Sequence, residues 1–190
     1  MTVPFDLDGP NPWRTDSSRV VFHDGRLRLR EDAVTQPDGQ PGSYVYLEVL
    51  TLIVGVVAID SALHVYLVRQ WRYPWARNSW EIPAGGGEPG ETPLDAAQRE
   101  LAEEVGMRAS EWEPLGSGYS SAAVNGRWHI FLAQGLEPDR SYHHRRDPTE
   151  QDMIARRVPL ADAVAAAMDG RIEHGMSALA LLRAARRLAI

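Results

Sequence analysis

Residues Gly85 to Met107 read GGGEPGETPLDAAQRELAEEVGM. Gly85, Gly86, Gly87 and the Pro89-Gly90 step make a loop able to take backbone angles that other residues avoid. A helix is expected to follow. Thr92 is a good N-cap, Pro93 suits the first helical position, and Asp95 stands three residues after the cap. Gly106 is placed to end the helix in a left-handed conformation. At about 100° per residue, Leu94, Ala97, Leu101 and Val105 share one narrow stripe, which is predicted to face the core. Glu100 and Glu104 lie one turn apart and project together, with Glu103 beside them. Three carboxylates on one short arc repel each other. A hard divalent cation among them removes that cost, because Mg2+ prefers oxygen ligands and commonly combines carboxylates with substrate phosphates. An isolated E-x-x-E-E would be a solvated acidic face. Here the glycine loop, Glu91 and Arg99 all fall at fixed spacings around it.

Gly85, five residues, Glu91, seven residues, then Arg99 to Met107 resembles the Nudix box, with Met107 as the final aliphatic. The flanking runs, Arg69-Gln70-Trp71-Arg72-Tyr73-Pro74 and Trp80-Glu81-Ile82-Pro83-Ala84 ahead of the glycines, are similar to the ADP-ribose pyrophosphatase branch of that family. The resemblance implies a Nudix fold of the α/β (α+β) class, a mixed β-sheet sandwiched between helices with a small N-terminal antiparallel module. It implies hydrolysis of a nucleoside diphosphate linked to another group, typically ADP-ribose to AMP and ribose 5-phosphate. Glu100, Glu103 and Glu104, with the backbone carbonyl of Ala84, would hold Mg2+, with Mn2+ as a substitute. Arg99 would pair with Glu91 and orient the helix carboxylates. Arg72 matches a substrate-binding arginine, and a fixed guanidinium suits a pyrophosphate through planar bidentate contacts. Tyr44 and Tyr46 fall where the branch places aromatics that stack on the base. A homodimer is expected, with each N-terminal module helping to build the partner's site.

One departure stands out. Many relatives carry an acidic step before the strand that follows the box, whereas this chain has Ala123-Val124-Asn125-Gly126. The base is then expected from the loop before the last strand, with Glu150 the best match and Asp152 the second. The missing step also motivates a second expectation, a Nudix-fold module that binds a nucleotide without hydrolysing it. Other nucleotide sugars, dinucleoside polyphosphates and NADH are alternative substrates. His143-His144-Arg145-Arg146 reads as a solvated loop, since a histidine pair lacks the other ligands of a metal site.

The net charge of −6 argues against a general nucleic-acid binder but not against a nucleotide substrate, since bound metal can invert the local field. All 20 basic residues are Arg, which rules out a Lys nucleophile. No cysteine is present, so disulfides and thiolate metal sites are excluded. The longest apolar run, around Leu50 to Ile59, is too short to span a bilayer. MTVPFDLDGP has neither the basic start nor the apolar stretch of a signal peptide, and a cytoplasmic protein is expected.

Two domains are expected, an N-terminal β module over residues 1–48 and a hydrolase domain over 49–190. Strands are predicted at 18–22, 27–31 and 44–49, separated by turns. Residues 51–60 and 63–71 read as a strand pair joined near Asp60-Ser61. Further strands are predicted at 112–119, 128–133 and 153–158, and helices at 160–168 and 176–188. The last helix is given an apolar stripe of Ala178, Leu181, Leu182, Ala185 and Leu188.

Overall fold

The computed structural model describes residues 9–139 and 150–190. It divides into two compact units, residues 9–50 with 123–125, and residues 51–122 with 126–190.

The first unit is an antiparallel meander of β1 (Arg14–His23), β2 (Leu27–Thr35) and β3 (Pro41–Val49). Charged residues pair across its strands, as between Arg30 and Glu48 and between Arg19 and Glu31. Asn125 completes the unit: its side-chain carbonyl accepts from Val49 N–H at 2.9 Å, next to Leu47 N–H on the Ala123 carbonyl. Thus the residue standing where the acidic step was sought fastens the end of β3. Val34 is the unit's one buried apolar residue, while Val20, Val21, Phe22, Tyr44 and Val45 are exposed. Three strands with so little buried surface are marginal alone.

The second unit is built around β4 (Ile53–Ala58). It runs parallel to β9 (Val124–Pro138) and antiparallel to β7 (Ala84–Gly86), while β8 (Met107–Ser121) pairs with β9. A second sheet places β5 (His64–Arg72) between β6 (Arg77–Glu81) and β10 (Ile154–Pro159), all antiparallel. Alternation along β4 divides the core. Val54, Val56 and Ala58 pack on Ala97 and Leu101 of α1 (Pro93–Val105). Val57, with Ile59 beyond the strand end, joins Leu160 of α2 (Leu160–Met168) and Leu181 of α3 (Gly175–Leu188). The sheet is therefore covered by helices on both faces, as expected. No helix among the described residues is long and apolar enough to cross a membrane.

Three local expectations change. β4 and β5 are joined by a turn at Asp60, as expected, but they do not pair within one sheet: the ladder between them is a single bridge between Ile59 and Val65, and each is paired by other strands. Part of the glycine-rich loop is strand β7, because Gly85 and Gly86 pair with Val54 and Ile53. The buried face of α3 is centred on Ser177, Ala180, Leu181, Ala184 and Ala185, and Ala178, Leu182 and Leu188 flank it half-buried. The small Ala180 and Ala184 are fully buried in the core, which an apolar count does not weigh.

Candidate active site

Helix α1 carries most of the proposed site. Its N-terminus is a capping box, with Thr92 accepting from Asp95 N–H and Asp95 accepting from Thr92 N–H, and Pro93 following. Gly106, at φ +71°, ends it in the left-handed region. Between these caps the apolar stripe is held on β4, and this fixes where the glutamates point.

Arg99 is the centre of the polar face. Nε and Nη2 donate to the two oxygens of Glu91 at 2.9 and 3.1 Å. Nη1 donates to Glu100 and Glu103, each at 2.8 Å, and Nη2 also donates to the Gly86 carbonyl at 2.7 Å. Glu91 in turn accepts from Glu88 N–H at 2.7 Å, so the loop and the helix are joined through one guanidinium. The Arg99 hydrogen bonds hold the Glu91 carboxyl below the usual range. Glu104 is buried and accepts from Ala84 N–H at 3.0 Å, which ties the helix to the residue ahead of the glycines. Glu100 lies against Gly85, where a Cβ would stand 2.1 Å from its Oε1. Only glycine leaves space for that carboxylate.

Burial pushes the Glu100 carboxyl up to about 7, against the pull of Arg99. It pushes Glu104 well above the carboxylate range, helped by the Glu100 charge and opposed by Ala84 N–H. Glu150 is half-buried, and its charge raises both Glu100 and Glu104 further. Asp152 is exposed and accepts from Trp71 N–H at 3.3 Å.

Arg72 ends β5 and donates Nε and Nη2 to Glu81 of β6 at 2.8 and 2.6 Å. Glu81 is fully buried. Burial raises its carboxyl, but Arg72 and His174 outweigh that and hold it below the usual range. His174 Nδ1 lies 3.0 Å from Glu81 Oε2 and 2.7 Å from Ser177 Oγ. Sequence reasoning assigned no role to Glu81, His174 or Ser177. A charged residue in a run as apolar as Trp80-Glu81-Ile82 was a signal for the first, and nothing in the chain marks the other two. Tyr44 and Tyr46 belong to the first unit, edge to face at 6.4 Å, with Trp13 on Tyr44 at 5.7 Å. His143, His144, Arg145 and Arg146 lie outside the described residues.

The family model for the NUDIX domain matches residues 49–179. The chain is 33% identical over 182 residues to an ADP-ribose pyrophosphatase of Mycobacterium tuberculosis (strain ATCC 25618 / H37Rv), covering 90% of this chain and 82% of that protein. It is 31% identical over 128 residues to a methanol dehydrogenase activator of Bacillus methanolicus, 65% of this chain and 66% of that one. In structure it is similar to an ADP compounds hydrolase, with a TM-score of 0.83 over 96% of this chain and 97% of the other, at 21% identity. The chain belongs to the Nudix family. It is a Nudix hydrolase, an enzyme that cleaves a phosphoanhydride.

Nudix hydrolases work with a divalent metal. Among the described residues no three His, Asp or Glu side chains already surround a common point that would hold one. The donor set still fits a hard cation. It is all oxygen, two of its carboxylates are raised by burial and mutual repulsion, and Glu100 packs against a glycine that gives it space. Proton and cation compete for these carboxylates. With Glu100 titrating near 7, divalent-cation affinity should fall by about tenfold from pH 8 to pH 6 through this group alone. Calorimetric titration at the two values checks this. In the metal-free protein the stability of the fold moves the opposite way with pH. A carboxyl raised in the folded state contributes stability below its ordinary value of 4.5 and loses it as pH rises through about 7.

Proposed function

We propose that this hydrolase uses Mg2+ to cleave the pyrophosphate of a nucleoside diphosphate sugar, with ADP-ribose as substrate and AMP and ribose 5-phosphate as products. The observation that carries the reading is one neighbourhood of charge: Arg72 feels both Glu104 and Glu150, and Glu150 bears on both buried glutamates of α1. Within the family, similarity to the ADP-ribose pyrophosphatase of Mycobacterium tuberculosis supports this substrate.

When bound, Mg2+ supplies charge neutralisation at the phosphates and a more acidic water. Glu100, Glu103, Glu104 and the Ala84 carbonyl would hold it. Arg72 binds the pyrophosphate through its guanidinium. Glu150 takes the proton from the attacking water, whose oxygen bonds to one phosphorus as the bridging oxygen leaves with the other. Arg99 and Glu91 keep the carboxylates aimed. Tyr44 and Tyr46 stack on the base, and residues 1–48 act as a module for dimerisation and substrate contact. The exposed Val20, Val21, Phe22 and Val45 support a homodimer, since apolar side chains on a thin sheet gain by being covered. A cytoplasmic location belongs to the same reading, on the cysteine-free composition.

The test is a hydrolysis screen with Mg2+ over ADP-ribose, other nucleotide sugars, dinucleoside polyphosphates and NADH, with products separated by chromatography. ADP-ribose should give AMP and ribose 5-phosphate, and Glu150→Gln should lower kcat by about 10²- to 10⁴-fold. Turnover of another compound with ADP-ribose untouched would refute the substrate assignment. An unchanged kcat in Glu150→Gln would refute the base.

A further inference from the structure

Arg72 is not free to turn. Two of its nitrogens are taken by Glu81, and among the described residues Nη1 makes no hydrogen bond. Glu81 has no solvent contact, so its orientation depends on what else it meets. Besides the Ser79 side chain, which hydrogen-bonds to it, it meets the first turn of α3. His174 is the N-cap residue of that helix, and its Nδ1 is 3.0 Å from Glu81 Oε2. Ser177, three residues on and fully buried, places its Oγ 2.7 Å from the same nitrogen while accepting from Ile82 N–H at 3.0 Å. A carboxylate oxygen at that distance requires a hydrogen on Nδ1, because otherwise two lone pairs would face each other. Nδ1 makes its hydrogen bond with Ser177 Oγ and stands at ion-pair distance from Glu81 Oε2, so Ser177 fixes the ring beside that carboxylate and against the backbone of the residue following it.

We infer that His174, seated on Ser177, is a positioning residue for substrate binding, acting through Glu81 on Arg72. This rests on the reading of Arg72 as the arginine that meets the substrate phosphates. Two physical effects act in the same direction. The first is orientation: with Glu81 held from behind, the guanidinium presents Nη1 in one direction, and a fixed donor loses less freedom on binding. The second is charge. Glu81 competes with the substrate for the positive charge of Arg72. The imidazole edge 3.0 Å from Oε2 offsets part of the carboxylate's charge and leaves more of the guanidinium's field for the incoming phosphates. Without the imidazole, Glu81 keeps Ser79 but bears more strongly on Arg72, and the substrate meets a weaker, less fixed cation. The chemical step, carried by α1 and Glu150, is untouched.

The experiment is steady-state kinetics on ADP-ribose with Mg2+ for wild type, Arg72→Ala, His174→Ala, His174→Asn, Ser177→Ala and the double variant Arg72→Ala/His174→Ala, each with a melting temperature. His174→Ala should raise KM about tenfold, the scale of losing one close polar contact to a buried charge, with kcat within about twofold. His174→Asn, which keeps a donor at that position, should recover most of the loss. In the Arg72→Ala background, His174→Ala should add less than about twofold, since the residue acts only through the arginine. Ser177→Ala keeps the imidazole's volume and should raise KM by less, which carries the test if His174→Ala is unstable. An unchanged KM in both His174→Ala and Ser177→Ala overturns the inference. So does an effect equally large with and without Arg72, or a fall in kcat alone. An unchanged KM in Arg72→Ala would instead refute the role given to Arg72 itself.

Discussion

Glu104→Gln should lower kcat by about 10²- to 10³-fold, the scale on which loss of one aligned charge at a reacting centre acts, while raising the melting temperature. The two effects come from the same burial. Glu104 is 1% exposed, and taking its carboxylate out of water is costly. Burial and the Glu100 charge both favour its neutral form. Glutamine has the same shape, keeps a carbonyl for Ala84 N–H, and removes the charge. The fold gains and the site loses an anionic oxygen, a trade of stability for activity at a single atom. Thermal melts and single-turnover assays on both proteins read the two sides. A variant both destabilised and fully active would contradict the account.

Arg99→Ala should cost about 3–5 kcal/mol, the range for removing one member of a buried ion network. Three glutamates would lose their counter-charge together, and the Gly86 carbonyl would lose its donor. The Arg99 side chain is 18% exposed, so water replaces little of this. Activity should fall as well, because that guanidinium joins the loop carboxylate of Glu91 to Glu100 and Glu103 of the helix. Arg99→Lys keeps the charge, but an ammonium on a flexible stem cannot span four partners in a plane, so it should fall between alanine and wild type. Chemical denaturation measures the order of the three. Equal stability of Arg99→Ala and wild type would show that the network contributes nothing net.

Much of α1 was legible before any coordinates. Thr92, Pro93, Asp95 and Gly106 act locally, through bonds within a few residues, and local chemistry is what a sequence displays. The box spacing likewise put Glu91, Arg99 and the three glutamates on one element and its loop, and the overall fold followed from the resemblance. What was not legible depends on chain segments far apart. His174 meets Glu81 across 93 positions, and the Ile82 N–H on Ser177 spans 95. Residues 51–60 and 63–71 read as a strand pair on their β-branched residues and the turn between them; the turn is there, but each strand pairs with other segments, in separate sheets. Asn125 looked like a lost carboxylate and proved to be an acceptor for Val49. The buried face of α3 shares Leu181 and Ala185 with the predicted stripe and is turned toward Ala180 and Ala184, because alanine counts little by hydrophobicity and yet both are fully buried.

The guanidinium of Arg99 has a consequence for how the enzyme responds to its surroundings. Where acidic side chains are balanced only by an ion, removing the ion takes the fold with it. Here part of the balancing charge is built covalently into the chain. Assembly of the protein and its loading with cation are thus separate events, and a chelator should silence the enzyme without denaturing it. Cells short of the ion would hold a folded, idle reserve, restored to work as soon as supply returns and without new synthesis.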